Sequence, residues 1–361
     1  MDTAKNKLIT CVAMIILSIV IIIIAGNITL PNGCVSNANT TLFKDGFYFD
    51  TYISITLYNV SADNEALLDE CMDMCGKYEK IFSRTDNSSE LYMLNEAFSL
   101  NTNADYEISA DLYECIDKTL TYSYPFDEHY SVFTGNLCDL WDYEKNLVPQ
   151  PDAIKEQLDS IYAYKLILDK DNSTISLLND SANTTNTDVP AIDLGASAKG
   201  YIADKLCTYL KEQGITDALI DLGGNIVVIG NKVDNSMFKI GIKKPFSDTD
   251  EVSAICKLAD TSLVTSGVYQ RYFEKDGNIY HHIIDCATGY PTDNDILSVT
   301  IISKNALQAD CFSTGCLLLG KEDALSFINS AKEVECVIID TDYNIHLSDG
   351  LTYKKDFIVM K

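Results

Sequence analysis

The sequence is poor in positive charge. Its 361 residues contain 27 Lys and Arg against 53 Asp and Glu, which gives a formal net charge of -26 at pH 7. A surface this acidic repels nucleic-acid phosphates and no basic stripe is present, so nucleic-acid binding is excluded. A phosphate ligand would need a local cation, a bound metal or backbone amides. Because 47% of the residues are hydrophobic and only 22% are charged, wholesale disorder is excluded as well.

The sequence also lacks the common signatures of nucleotide and zinc binding. There is no GxxxxGKS/T segment and no GxGxxG turn after the first predicted strand, which excludes a P-loop and a Rossmann turn. The twelve cysteines form no paired CxxC arrangement of the kind that binds zinc. We expect most of them to be small buried hydrophobic residues, with disulfides as the alternative in an exported chain.

One long apolar run lies close to the N-terminus. Residues 8–25 are uncharged and Ile-rich, and as a helix they would reach about 27 Å, close to the hydrocarbon thickness of a bilayer. Lys5 and Lys7 precede the run, so the positive-inside rule places residues 1–7 in the cytoplasm and the rest outside. We therefore predict an uncleaved transmembrane anchor, with the folded domain at the cell membrane on its extracytoplasmic face.

The segment after this run leaves two other routes of export open. Residues 26–43 are rich in Asn, Thr, Gly and Ser and predict a tether, after which one domain spans residues 44–361. A cleaved signal peptide shares the charged start and the apolar middle of an anchor. Residues 30–34 resemble a bacterial lipoprotein signal, which would lipidate Cys34. All three interpretations export the domain.

The periodicity of the exported part mixes strands and helices without strict alternation. A first, irregular strand is predicted over residues 47–57, and the glycines of residues 223–225 predict a turn between two later strands. Amphipathic patterns predict helices over residues 63–82, 109–122, 199–213 and 306–319. The polar stretches 145–160 and 170–188 are predicted to be loops. This mixture indicates the α+β class.

Two oxygen-bearing side chains share one face of the most apolar helix. Asp310 and Thr314 are four residues apart, so both lie on the same side of the helix predicted over residues 306–319. A lone carboxylate buried there is costly unless it is paired. A carboxylate beside a hydroxyl is hard-oxygen chemistry, which favours magnesium over zinc. A helix cap or an inter-helix hydrogen bond is the alternative.

Two further segments carry candidate ligand-binding groups. Residues 193–201 join a strand to a helix, and their small side chains would let an anion approach the helix N-terminus beside Lys199. Residues 281–291 contain two of the four histidines, His281 and His282. Adjacent side chains of a strand face opposite ways, so at most one of the two enters a site. An ordinary strand–helix corner and a structural histidine are the alternatives.

Taken in order, these segments resemble the ApbE-like FAD:protein FMN transferase family. The matching stretches are AIDLGASAKGYIADKL, ALIDLGGNIVVIG, TSGVYQRYF, YHHIIDCATGYPT and ADCFSTGCLLLG. Two earlier stretches, residues 83–95 and GNLCDLW at residues 135–141, resemble further motifs of the family. The resemblance covers residues 47–340.

The resemblance implies an ApbE-like, T-fold-related catalytic domain of mixed sheet and helix. It implies a magnesium-dependent transferase that moves FMN from FAD to a threonine hydroxyl of an exported flavoprotein and releases AMP. The implied acceptors are subunits of Rnf-type or sodium-pumping redox complexes. Two other functions stay open, namely a metal-dependent FAD pyrophosphatase that gives FMN and AMP, and a non-catalytic membrane-tethered flavin-binding protein.

The functional positions of the family carry over residue by residue. Its metal ligands match Asp310, Thr314 and the backbone carbonyl of Ala196. Its flavin-binding positions match Phe49, His129, Tyr130, Ser131, Asp193, Lys199 and Ile284. Ser131 replaces the usual aspartate and Thr85 a common aromatic, so stacking on the flavin would fall to Tyr130 or Trp141. We choose His282 as the candidate base for the acceptor hydroxyl, because an imidazole titrates near neutral pH.

Overall fold

The computed structural model of the chain describes residues 40–102, 104–180, 188–232, 234–249, 251–352 and 357–360. The predicted anchor, the short segment before it and Cys34 lie outside these residues. Within the described part, no helix has the length and apolar character needed to span a bilayer. The first strand begins at Thr40, so the end of the segment assigned to the tether belongs to the folded sheet.

Strands and short helices alternate irregularly along the chain. The strands are β1 (Thr40–Tyr48), β2 (Thr51–Val60), β3 (Tyr106–Glu107), β4 (Tyr164–Asp169), β5 (Thr174–Asn179), β6 (Ala218–Asp221), β7 (Asn225–Ile229), β8 (Phe238–Lys243), β9 (Val252–Leu258), β10 (Thr261–Gly267), β11 (Tyr272–Lys275), β12 (Asn278–His281), β13 (Ile296–Ser303), β14 (Val334–Asp340), β15 (Ile345–Leu347) and β16 (Phe357–Val359). The helices are α1 (Glu65–Phe82), α2 (Glu90–Leu100), α3 (Ala110–Ser123), α4 (Gly135–Leu140), α5 (Pro151–Ala163), α6 (Ala198–Glu212), α7 (Ala306–Leu319) and α8 (Lys321–Ser330).

A large antiparallel sheet forms the centre of the fold. Its strand order is β1-β2-β6-β7-β10-β13-β14-β15, and every neighbouring pair is antiparallel. Helices α1, α3, α6 and α7 pack on one face through a continuous apolar core. The small sheet β16-β9-β8 covers part of the other face through a second core. Antiparallel sheets with helices gathered on one face are the α+β arrangement that the sequence predicts.

The prediction for the first strand was wrong. Residues 47–57 are not one irregular strand, because the chain reverses at Phe49 and Asp50 between β1 and β2. Both residues have φ of 55°, as a two-residue hairpin turn of this kind requires. The sequence has no glycine or asparagine there to signal the turn. The backbone N–H of Phe49 donates to Glu79 Oε1 of α1 at 2.8 Å, which anchors the turn to the helix layer.

The amphipathic helix predictions are confirmed, whereas the loop predictions are only partly right. Helices α1, α3, α6 and α7 begin and end within about two residues of the predicted bounds, the usual uncertainty of helix ends. Residues 145–160, predicted as a loop, contain most of α5, in which only a few apolar side chains, such as Ile154 and Ile161, are buried. Residues 170–188 contain β5. Both elements bury only a minority of their residues, so polar residues occupy most of their positions.

The cysteines of the described residues are free thiols. Cys138 and Cys207 are half-buried and the other eight are buried. Burial raises the pKa of Cys71 and Cys75 to about 12, so these side chains stay protonated at neutral pH. The prediction of small buried hydrophobic residues is therefore confirmed for the described cysteines.

Helices α6 and α7 approach each other closely at a glycine. A Cβ at Gly200 in α6 would lie 2.4 Å from the backbone oxygen of Ala306 at the start of α7. Gly200→Ala should force the two helices apart and lower the free energy of unfolding by about 1–3 kcal/mol. Urea unfolding of the purified variant measures this loss.

Gly76 in α1 supplies the matched control. A Cβ there would lie 3.6 Å from the ring of Tyr48, which is an ordinary van der Waals contact. Alanine is also the better helix former by about 1 kcal/mol, so Gly76→Ala should leave stability unchanged or raise it. A Gly200→Ala variant as stable as Gly76→Ala would contradict the close approach of the helices.

Candidate active site

The predicted metal ligands lie where α6, α7 and the central sheet meet. Asp204 in α6 accepts hydrogen bonds from the backbone N–H groups of Ala306 and Leu307 at 2.8 and 3.0 Å. First-turn amides have no partner within their own helix, so this carboxylate caps α7 and fixes its start against α6. Asp310, one turn further along α7, then faces the N-terminus of α6.

Asp310 is a carboxylate of which only 4% is exposed. Its Oδ2 accepts the backbone N–H of Gly200 at 2.9 Å, which is the inter-helix hydrogen bond held open as the alternative to a metal ligand. Burial raises the pKa of Asp310, while the charge of Lys199 and the Gly200 amide act in the opposite direction. The Gly200 amide, the Lys199 ammonium and the side chain of Asn225 compensate the buried charge only in part, so a cation would be stabilised beside it.

Thr314 lies one turn beyond Asp310 and contacts the end of β10. The Oγ of Ser266 lies 3.2 Å from Thr314 Oγ1 and 2.8 Å from Ser313 Oγ. Ser313 in turn donates to the backbone carbonyl of Asp310 at 2.9 Å. Three hydroxyls therefore converge beside one carboxylate. Sequence reasoning gave Ser266 no role, although the residue belongs to the TSGVYQRYF stretch that matched the family.

The loop before α6 brings a backbone carbonyl to the same region. The hydroxyl of Tyr130 donates to the carbonyl oxygen of Ala196 at 3.4 Å. Burial, and then the neighbouring Cys311 and Asp310, raise the pKa of Tyr130, so its hydroxyl stays protonated and remains a donor. The structure thus joins Tyr130, predicted as a flavin contact, to the carbonyl predicted as a metal ligand.

Asp193 is held by an arginine that sequence reasoning did not single out. Arg84 Nε donates to Asp193 Oδ2 at 2.8 Å, and the backbone N–H of Gly195 donates to Oδ1 at 2.7 Å. Arg84 Nη1 also binds both carboxylate oxygens of Asp139, at 2.9 and 2.8 Å. Arg84 therefore fixes the orientation of Asp193 and offsets the negative charges of Asp193 and Asp139. Lys199 reaches back to the Gly195 carbonyl at 3.5 Å.

The other predicted flavin contacts lie in a second cluster. His129 Nδ1 lies 3.0 Å from Asp285 Oδ1, and Asp285 follows the buried Ile284. Ser131, which stands where the family has an aspartate, accepts the backbone N–H of Phe133 at 3.0 Å. Trp141 is only 3% exposed and packs against the rings of Tyr280 and Tyr290, whereas Tyr130 is half-buried, so the structure favours Tyr130 for the predicted stacking.

Phe49 belongs to the same end of the sheet as the hydroxyl cluster. Thr51, two residues further on, packs against Gly223, and the carbonyl of Gly224 accepts the N–H of Thr265 at 3.4 Å. Thr265 directly precedes Ser266. Two strands, β6 and β7, therefore separate the hairpin turn that carries Phe49 from Ser266 in β10, and both lie at the same end of the strands.

The two adjacent histidines have different surroundings. His281 is 5% exposed; its Nε2 faces the carbonyl of Thr292 at 2.9 Å and its Nδ1 faces the N–H of Ile283 at 3.3 Å. A carbonyl only accepts and an N–H only donates, so both ring nitrogens are engaged in one neutral tautomer. His281 is therefore a structural histidine.

His282 keeps one ring nitrogen available. Its Nδ1 lies 3.3 Å from the carbonyl of Arg271 and must donate to it, which leaves Nε2 as the lone-pair nitrogen. Burial, followed by the charge of His281, lowers the pKa of His282 to about 4, and Lys199 acts in the same direction. The charge of Lys199 thus acts on both His282 and Asp310. Lys199 therefore connects the histidine segment to the predicted cation site. The assignment of His282 as the base stays a prediction.

The donor set suits a hard cation. Nowhere in the described residues do three or more His, Cys, Asp or Glu side chains form a cluster that could hold a metal. A cation beside Asp310 would instead be bound by one carboxylate, neutral oxygens and oxygens of water or ligand, which is typical of Mg²⁺. The nearby thiols of Cys115 and Cys311 have raised pKa values and do not offer the thiolates that zinc prefers.

Residues 49–338 match the model of the ApbE family. The chain is 30% identical over 294 residues to an FAD:protein FMN transferase of Klebsiella pneumoniae (strain 342), covering 81% of this chain and 88% of that protein. It is 29% identical over 306 residues to an FAD:protein FMN transferase of Treponema pallidum (strain Nichols), covering 81% and 82%.

Solved structures share the fold. The ApbE protein of Thermotoga maritima superposes with a TM-score of 0.74 at 27% identity, covering 86% of this chain and 97% of that one. The flavin transferase ApbE from Vibrio cholerae superposes with a TM-score of 0.71 at 23% identity, covering 86% and 98%. The predicted ApbE-like fold of mixed sheet and helix is confirmed.

Proposed function

Because the chain belongs to the ApbE family, we propose that it is an FAD:protein FMN transferase. In the proposed reaction, which depends on magnesium, FMN moves from FAD to a threonine hydroxyl of an exported flavoprotein and AMP is released. The observation that carries the proposal is the incompletely compensated Asp310, buried beside Thr314 at the N-terminus of α6. Such a carboxylate costs stability unless it binds a cation.

The same region offers the positive potential that a diphosphate needs. The N-terminus of the 15-residue helix α6 points its first amides toward the site, and Lys199 adds a full charge. Bound Mg²⁺, held by Asp310, Thr314 and the Ala196 carbonyl, would neutralise phosphate charge and stabilise the departing AMP. In a protein with a net charge of -26, these local groups decide where FAD binds.

The transfer step needs an acceptor hydroxyl that is aligned and deprotonated. The threonine Oγ attacks the phosphorus of the FMN moiety, the P–O bond to the AMP phosphate breaks, and AMP leaves. His282 Nε2 takes the hydroxyl proton, since Nδ1 is committed to the Arg271 carbonyl. Holding nucleophile, phosphorus and leaving oxygen in line supplies much of the rate in phosphoryl transfer.

Intact mass measurement tests the proposal. The purified protein is incubated with FAD, Mg²⁺ and an exported acceptor subunit of an Rnf-type or sodium-pumping complex, beside the same acceptor with its target threonine changed to valine. We expect one FMN added to the first acceptor, none to the second, and AMP equal to the FMN transferred. Free FMN and AMP without modified acceptor would indicate a pyrophosphatase instead. FAD binding without any product would indicate a binding protein.

We also propose that the enzyme works on the extracytoplasmic face of the cell membrane, held by residues 8–25. The support is the length and apolar character of that run and the two lysines before it. In the native host, the mature protein should keep Met1 and sediment with membranes until detergent is added. If mass spectrometry instead found a lipid-modified Cys34 at the N-terminus, the protein would be a lipoprotein and residues 8–25 would not be its anchor.

A further inference from the structure

The central sheet ends beside Asp310 in a buried amide that lacks a hydrogen bond of ordinary geometry. Asn225, the first residue of β7, is 3% exposed, and its Nδ2 makes no hydrogen bond of ordinary geometry to any described residue. The amide approaches the Asp310 carboxylate closely enough to lower its pKa, so Asp310 is its nearest candidate partner. Buried amide donors are nearly always paired in folded proteins, so an unpaired one either binds a ligand or lowers the stability of the fold.

The direction of the strand places this amide on the face that carries the site. Side chains alternate along a strand, and Val227 and Ile229 belong to the core beneath α6 and α7. Asn225 therefore points to that same face, where Gly200 binds Asp310 and Ser266 contacts Thr314. The donor is thus buried beside Asp310, on the face of the sheet that α6 and α7 cover.

We propose that Asn225 Nδ2 donates a hydrogen bond to a phosphate oxygen of the bound FAD diphosphate. This inference rests on the proposed function and adds a substrate-binding residue to it. The chemistry fits an amide, because it offers a donor to the anion without adding negative charge beside Asp310. A carboxylate of the same size would repel the phosphate.

Calorimetric titration with ADP at saturating Mg²⁺, and then with FAD, tests the inference. ADP serves as the probe because it carries the diphosphate without the flavin. Asn225→Ala should bind both about 10- to 100-fold more weakly, as expected for loss of a hydrogen bond to a charged group. The ligand-free variant should unfold at the same or a higher temperature than wild type, because an unpaired buried group has been removed. Asn225→Asp, which keeps the size, should also bind ADP more weakly.

Ser298→Ala is the matched control. Ser298 Oγ is the other buried side-chain atom without a hydrogen bond of ordinary geometry among the described residues; it approaches Tyr269, and the residue is 0% exposed. It lies in β13 on the face of Ile302, which packs into the second core away from α7. Its replacement should leave the affinities for ADP and FAD unchanged.

Two results would overturn the inference while leaving the proposed function intact. One is Asn225→Ala that binds Mg²⁺-ADP and FAD as tightly as wild type. The other is Asn225→Ala that unfolds several degrees lower with unchanged affinity, which would make the amide a structural partner of Asp310. Failure of the wild-type protein itself to bind FAD would instead overturn the proposed function, and this inference with it.

Discussion

Asp310→Asn should reduce AMP release from FAD by about 10³-fold or more, because several kcal/mol of charge stabilisation at the phosphates would be lost. The substitution keeps the shape of the side chain and an oxygen for the Gly200 amide. It also removes a buried charge whose pKa is raised by burial, so the ligand-free protein should unfold at the same or a higher temperature. Chromatographic measurement of AMP and a thermal unfolding curve test both parts.

Two controls separate the cation site from the helix packing around it. Thr314→Val removes one neutral ligand, so it should raise the Mg²⁺ concentration needed for half-maximal activity without abolishing AMP release. Asp204→Asn weakens the cap of α7 and should lower the free energy of unfolding by about 1 kcal/mol, while the folded protein stays active. An Asp310→Asn variant with full activity in excess EDTA would refute the metal site.

His282→Ala should lower the transfer rate by about 10²- to 10⁴-fold, the usual contribution of a general base. FAD affinity should change little, because in the proposed reaction Nε2 meets the acceptor hydroxyl and not the cofactor. Single-turnover transfer with saturating FAD and acceptor isolates this step. If His282→Ala transferred FMN at the wild-type rate, another group would have to accept the proton of the acceptor hydroxyl. Asp285 is then the next candidate, although it already binds His129 and the N–H of Ala287.

The lowered pKa of His282 gives the same prediction a pH signature. Burial holds that pKa at about 4, so the neutral, proton-accepting form dominates throughout the neutral range. Below about pH 5 the imidazole becomes protonated and the wild-type rate should fall as the pH drops through 4. An unperturbed histidine would instead lose activity near pH 6.5. The part of the acid limb that this imidazole causes should be absent from the residual activity of His282→Ala, whereas any loss caused by protonation of Asp310, whose pKa burial raises, should remain.

His281→Ala provides the neighbouring control. Both ring nitrogens of His281 are bonded in the interior, so its loss should destabilise the fold by about 1–3 kcal/mol. The fraction that remains folded should transfer FMN at close to the wild-type rate. A stable but inactive His281→Ala variant would indicate that His281 is the base and His282 the structural histidine.

The sequence predicted the parts of the site that lie on strongly periodic or glycine-marked segments. The helix over residues 306–319 is apolar on nearly every side, so the pair Asp310 and Thr314 stood out against it. The end of α6 was marked by Gly214, which has φ of 82°. Local signals of this kind are reliable because they follow from the helical period and from the backbone conformation at the position itself.

Contacts between distant segments could not be predicted in the same way. Arg84 and Asp193 are 109 positions apart, and Tyr130 meets Ala196 across 66. Neither pair leaves a periodic or spacing signal in a single sequence. The incomplete hydrogen bonding of the Asn225 amide is even harder to predict, because it becomes visible only when the positions of all neighbouring residues are known. The turn at Phe49 and Asp50 was missed because the residues there are unusual at positive φ.

The free thiols make folding of the described domain independent of oxidants. Since no disulfide joins the described cysteines, the domain can reach its native state equally well in a reducing or an oxidising compartment. Among the described cysteines, alkylating reagents should reach Cys138 and Cys207 first, because only these two of the ten are half-buried. The eight buried thiols would react only as the structure opens, so the rate of their alkylation reports how often the interior of this domain is exposed.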